Sequence, residues 1–147
     1  MARTTESQLQ QEIMAWIGQN QYVYLASCDK KQARVRPVVL FLYDERYFFA
    51  TFSGDAKVAQ IQNNKLVEIC IPLSEDGHTG YIRLGGSALI VNNAALKAEA
   101  SECCFFFDQY FNGYDDPDYT LVEFSPDTAE YLRPGETYSQ TCHLRRY

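Results

Sequence analysis

Arg34, Arg36 and Lys57, with the hydroxyls of Thr51 and Ser53, are the residues of this chain whose types and spacing suit capture of a small anion. Arg34 and Arg36 are two apart on a strand-like stretch, so they share a face. Lys57 falls in the first turn of a short helical stretch that opens at Ala56. A helix start presents unpaired N–H groups and the positive end of its dipole. A phosphate placed among Arg36, Lys57, Thr51, Ser53 and those N–H groups would be well held. The same residues also read as a solvated surface helix with Asp55 as a routine N-cap and an exposed lysine. Spacing alone leaves both readings open.

Other groups with chemical potential are fewer. Cys103 and Cys104 are adjacent and suit soft metals or oxidants, or a core thiol beside an incidental one. No cation or histidine near them in sequence would lower a thiol pKa. His78 sits in an acidic loop and His143 in the tail, a spacing that makes no zinc site with the cysteines. The aromatic run Phe105-Phe106-Phe107-Asp108-Gln109-Tyr110-Phe111 fits a helix core, a subunit contact or the wall of a ligand pocket.

The elements that must position these groups follow from periodicity and turn residues. Thr5 and Gln8 have capping-box spacing, and Leu9, Ile13, Trp16 and Ile17 fall on one face, which predicts a helix over residues 5–18. Strands are expected at 22–27, 33–43, 47–51, 67–72, 79–91 and 119–124, with one more short piece at 129–132. Pro37 lies inside the second strand and demands a bulge, an edge position or backbone open to a ligand. Gly85-Gly86 marks a bulge in the fifth. A short helix is expected at 55–63 and a longer one at 93–110. The tail from Pro134 is polar and weakly patterned. Short hairpin connections favour antiparallel pairing, and closely spaced strands favour a barrel. The expected fold is mostly β (α+β), in one domain spanning residues 1–147.

Bulk composition narrows the partners. A hydrophobic fraction of 46%, with 14% aromatics, argues for a packed core over disorder. A net charge of −6 argues against nucleic acid, which needs a basic face. Five cysteines, an odd number without C-x-x-C spacing, argue against a disulfide framework and for a reducing cytoplasm. The polar start MARTTESQLQQ is unlike a signal segment, and nothing approaches the roughly 18 apolar residues of a membrane span.

The ordered motifs resemble the FMN-binding split barrels of the pyridoxamine 5′-phosphate oxidase-like superfamily. They are Arg34 with Arg36-Pro37-Val38-Val39, then Phe49-Ala50-Thr51, then Lys57-Val58-Ala59-Gln60-Ile61-Gln62-Asn63, and later Tyr81-Ile82-Arg83-Leu84-Gly85-Gly86-Ser87-Ala88. The likeness covers about residues 10–125. It implies a split barrel of about six antiparallel strands with flanking helices, and a homodimer with FMN at the subunit interface. It implies that Arg36 and Lys57, with Arg34 near, hold the FMN phosphate. Ala50, Thr51, Ser53 and the helix start at Ala56 would support the ribityl-phosphate end. The backbone of Pro37, Val38 and Val39 would run along the isoalloxazine edge, and Gln60 would reach the flavin or its arm. A flavin-dependent oxidoreductase follows from the resemblance. The alternative is a non-enzymatic protein of the same fold holding flavin, F420 or haem, with His143 as a haem-ligand candidate in the tail.

Two positions depart from the pattern. Many relatives have serine two residues before the lysine, where this chain has Asp55. A carboxylate beside a phosphate is tolerable if it turns back to cap its own helix. A glutamine of the oxidase proper corresponds to the neighbourhood of Tyr81, and the oxidase's C-terminal substrate pattern is not evident. The resemblance therefore does not extend to that enzyme's own reaction.

Overall fold

A computed structural model describes residues 4–144. The first and last three residues of the expected terminal segments lie outside the described residues. The chain runs α1 (Glu6–Trp16), β1 (Asn20–Asp29), β2 (Gln32–Tyr43), β3 (Arg46–Phe52), α2 (Ala56–Asn63), β4 (Leu66–Glu75), β5 (His78–Ile90), α3 (Ala94–Ser101), α4 (Phe107–Tyr110), β6 (Tyr119–Leu132) and β7 (Gln140–His143).

Six strands pair antiparallel in the order β3-β2-β1-β4-β5-β6, and β3 pairs back onto β6 to close the ring. The seventh strand, β7, adds to the second half of β6, opposite Thr128–Tyr131. The expected architecture of a mostly antiparallel partial barrel with flanking helices is present, with seven strands among the described residues against about six expected. Alternate residues of β1 and β4 point inward, and Leu25, Leu40, Ile69, Ile82, Leu84 and Phe124 fill one core with Ile13 of α1. A second cluster, built on Phe41, Phe48, Tyr119 and Leu121, lies beneath α3 and α4.

Helix α1 covers the main core through Leu9 and Ile13. Its capping box is formed both ways: Gln8 N donates to Thr5 Oγ1 at 3.1 Å, and Thr5 N donates to Gln8 Oε1 at 2.9 Å. The Trp16 indole donates to Tyr131 Oη at 2.8 Å, and Arg133 with Tyr131 grips Glu12. These contacts tie α1 to the end of β6. Among the described residues no helix is long and apolar enough to cross a membrane.

Pro37 resolves as an edge residue. β2 pairs with β1 from Gln32 to Phe41, but with β3 only over Phe41–Tyr43. Among the described residues no strand lies beside Pro37 on the edge facing away from β1, so a missing N–H breaks no ladder on that side. The bulge falls at Gly85/Gly86, where the β5–β6 register steps from Thr128 to Pro126. A Cβ on Gly86 would stand 2.1 Å from Ser125 O, so this close backbone crossing requires glycine.

Three expectations are corrected. The helix expected at 93–110 breaks into α3 and α4, with turns between. A straight helix turns 100° per residue and would spread the aromatics of 105–111 around its whole circumference. Beyond the break Phe107 and Phe111, one helical turn apart and so on one face, both pack on Tyr119, with ring centroids 4.9 and 4.7 Å away. The pieces at 119–124 and 129–132 are one strand, β6, because Ser125-Pro126-Asp127 forms the bulge opposite Gly85-Gly86. Part of the polar tail is β7, whose Cys142 is buried in the main core.

Candidate functional site

Where β2 and β3 diverge beyond their three-residue contact, the barrel wall is split. A cavity of about 390 Å³ opens there, within the range of small-molecule sites. One wall is Pro37, Val38 and Val39 of β2, and the facing wall is Ala50, Thr51 and Phe52 of β3. Asp55 and Lys57 stand at the start of α2, and Phe105, Phe106 and Tyr110 form an aromatic side. Phe52 meets Tyr110 edge-on at 6.1 Å, so the aromatic side packs on the end of β3. The result is an apolar slot bordered by an unpaired strand edge, with one ammonium at its polar end.

That ammonium is already engaged. Lys57 Nζ donates to Asp55 Oδ2 at 2.9 Å, and Thr51 Oγ1 donates to the same oxygen at 2.6 Å. The bond from Lys57 first, and that from Thr51 second, hold the Asp55 carboxyl below its ordinary range. Asp55 occupies the N-cap position of α2, yet its side chain makes no cap hydrogen bond. The expected turn back onto its own helix is not made; the carboxylate pairs with the largely buried Lys57 instead.

The anticipated site residues separate into groups. Pro37, Val38, Val39, Ala50, Thr51 and Lys57 line the one cavity. Arg36 and Gln60 form a second polar cluster with Ser27. Arg36 Nη1 donates to Ser27 Oγ at 2.7 Å and Leu25 O at 3.3 Å, while Nη2 donates to Gln60 Oε1 at 2.6 Å. Ser27 Oγ also donates to Gln60 Oε1 at 2.6 Å. This cluster ties α2 to β1 and β2; partial burial, with Arg34 next, lowers the Arg36 pKa. Arg34 itself lies 3.8 Å from Asp29 at the exposed end of the β1–β2 hairpin. Ser53 faces the entry to β6, donating to Pro117 O at 2.9 Å and lying 2.8 Å from Thr120 Oγ1. Ala56 is an exposed residue opening α2.

Sequence reasoning anticipated the aromatic run as a pocket wall among its readings, and Phe105, Phe106 and Tyr110 do line the slot. It missed Tyr22 and Phe52, which also line it, and Ser27 of the Arg36 cluster. Strand alternation was the available signal for Ser27, a polar residue in phase with Val23 and Leu25. The other candidates stand apart from the slot. Burial pushes the Cys104 thiol up to about 11, which makes it a poor nucleophile. His78 packs beside Gly135, and His143 lies 3.4 Å from Glu6 on exposed surface. Among the described residues no three potential metal ligands cluster.

The sequence profile of the pyridoxamine 5′-phosphate oxidase family matches residues 9–133. The chain belongs to this family. It is 24% identical over 132 residues to general stress protein 26 of Bacillus subtilis (strain 168), covering 89% of this chain and 93% of that protein. The crystal structure of general stress protein 26 from Bacillus anthracis str. Sterne superposes with a TM-score of 0.70 at 23% identity, covering 92% of this chain and 98% of that one. A haem-binding protein from Mycobacterium smegmatis shares the fold with a TM-score of 0.74 at 12% identity, covering 97% of this chain and 60% of that one. Members of the pyridoxamine 5′-phosphate oxidase-like family commonly bind flavin.

Proposed function

We propose that this family member binds FMN in the slot between β2 and β3 and works as a small flavin-dependent oxidoreductase, as a cytoplasmic homodimer. The observation that carries the reading is the unpaired β2 edge at Pro37–Val39 facing an aromatic-lined slot with Lys57 at its end. The backbone groups that alternate residues of Pro37–Val39 turn to that edge suit the hydrogen-bonding rim of a flavin ring. Phe105, Phe106 and Tyr110 suit its faces. Lys57 and the uncapped first turn of α2 suit its phosphate. Arg36 supports this end of the site by fixing Gln60, one turn beyond Lys57.

Bound flavin supplies the hydride or electron chemistry. The chain's own share is to hold the ring against the β2 edge and screen it from water with the aromatic segment. No side chain of the slot need act as an acid or base. Haem is the second reading, favoured by the fold shared with a haem-binding protein, and F420 would call on the same cation for its phosphate.

Titration of the protein with FMN, followed by flavin fluorescence at equilibrium, tests the reading. Saturable binding of one flavin per chain, lost when Phe106 and Tyr110 are replaced by alanine, is the expected outcome. An absence of binding refutes it and directs the same titration to haem and F420.

A further inference from the structure

Asp55 has left its capping role. An aspartate at an N-cap ordinarily accepts a hydrogen bond from the first turn of its helix, and here it makes none. Its Oδ2 instead takes hydrogen bonds from both polar groups at the cavity's end, Lys57 Nζ at 2.9 Å and Thr51 Oγ1 at 2.6 Å. Lys57 is largely buried, its side chain 14% exposed, whereas Asp55 is 40% exposed. Among the described residues Asp55 is the anion that neutralises this lysine. The ammonium and the hydroxyl are the groups that would bind a ligand's anionic arm. A carboxylate oxygen therefore stands where a phosphate oxygen would.

We propose that Asp55 is a built-in competitor for the phosphate of the flavin, so that the site discriminates weakly between FMN and phosphate-free riboflavin and exchanges its flavin instead of retaining it. The inference rests on flavin binding in this slot. A phosphate that reaches Lys57 must displace the carboxylate or bear its negative charge at close range. Either way the gain from the ion pair with Lys57 is offset by the loss of the one already made. A ligand ending in a hydroxyl meets no such opposition.

The test compares the unmodified protein with Asp55→Asn, which keeps the shape and the acceptor for Thr51 but removes the charge. Each form is titrated with FMN and with riboflavin at equilibrium. The expected result is that FMN binds the variant about tenfold or more tightly, the order set by one like-charge contact in a partly solvated site, while riboflavin affinity stays within about threefold. The ratio of the two affinities within one variant is unaffected by any general loss of stability. An unchanged ratio, with both flavins still bound, overturns the competitor role and leaves flavin binding standing. If neither form binds either flavin, the functional reading falls and this inference falls with it.

Discussion

Replacing Arg36 and Lys57 in turn by methionine should separate a cation that holds the fold from one that meets the ligand. Arg36 donates to Ser27 Oγ, Gln60 Oε1 and Leu25 O. Hydrogen bonds from a charged donor contribute roughly 1.5–3 kcal/mol each. They are not additive here, because Ser27 Oγ still donates to Gln60 Oε1 after the guanidinium is gone. The methionine stem also keeps part of the packing. A loss of about 2–3 kcal/mol is therefore expected, which for a chain of this size lowers Tm by roughly 5–10 °C. Lys57 makes one ion pair, with a partner 40% exposed, and such pairs contribute less than about 1 kcal/mol. Lys57→Met should leave Tm nearly unchanged. Its effect falls on FMN, where a charge-assisted phosphate contact is worth roughly 1.5–3 kcal/mol. Competition from Asp55 in the unmodified protein places the net loss at the low end, about tenfold in Kd. Differential scanning fluorimetry and FMN titration of both variants make the comparison. Arg36→Met with an unchanged Tm and an FMN loss equal to that of Lys57→Met would refute the assignment, because the guanidinium would then serve the ligand and not Gln60.

Gly86→Ala should destabilise the barrel by about 3 kcal/mol, since the new Cβ meets the backbone at Ser125 and Pro126 and backbone cannot swing aside. Gly54→Ala, with nothing within 4 Å, should be close to neutral in the same urea titration, and equal effects would refute the close-crossing argument. Hydrogen bonds from Arg133 first, and from Tyr131, hold the Glu12 carboxyl below its ordinary value of 4.5. A depressed carboxyl stabilises the fold above its unfolded pKa and loses that contribution as pH falls through the folded one. The Tm gap between the unmodified protein and Glu12→Gln should therefore be widest near neutrality and narrow below about pH 4.5. A gap constant from pH 7 to 3 would show that the network does not titrate as described.

Local chemistry made several elements legible in the chain itself. The Thr5/Gln8 capping box depends on residues close in sequence, and Pro37 and Gly85-Gly86 mark in the chain itself where the β2 and β5 ladders cannot be regular. These signals follow from backbone sterics and short-range hydrogen bonds, which the residue types themselves record. The strand periodicities were equally readable, because alternation records which face meets the core. Long-range pairing was not. β6 continues through Pro126 because β5 offers glycines opposite it, and β7 is a strand because β6 has a free edge beside Thr128–Tyr131. The segment beyond the break between α3 and α4 is seated on the distant Tyr119, on which Phe107 and Phe111 both pack. The candidate site divides along the same line. Residue types along 34–60 announced cations suited to an anion, but which cation faces the slot depended on the third dimension. Strand β1 supplies Ser27 and α2 supplies Gln60, and together they draw Arg36 into the wall. The divergence of β2 from β3 leaves Lys57 facing the cavity, with Asp55 already on it. Sequence determines which groups can bind, whereas the competition among partners brought together by the fold decides which of them remain free to do so.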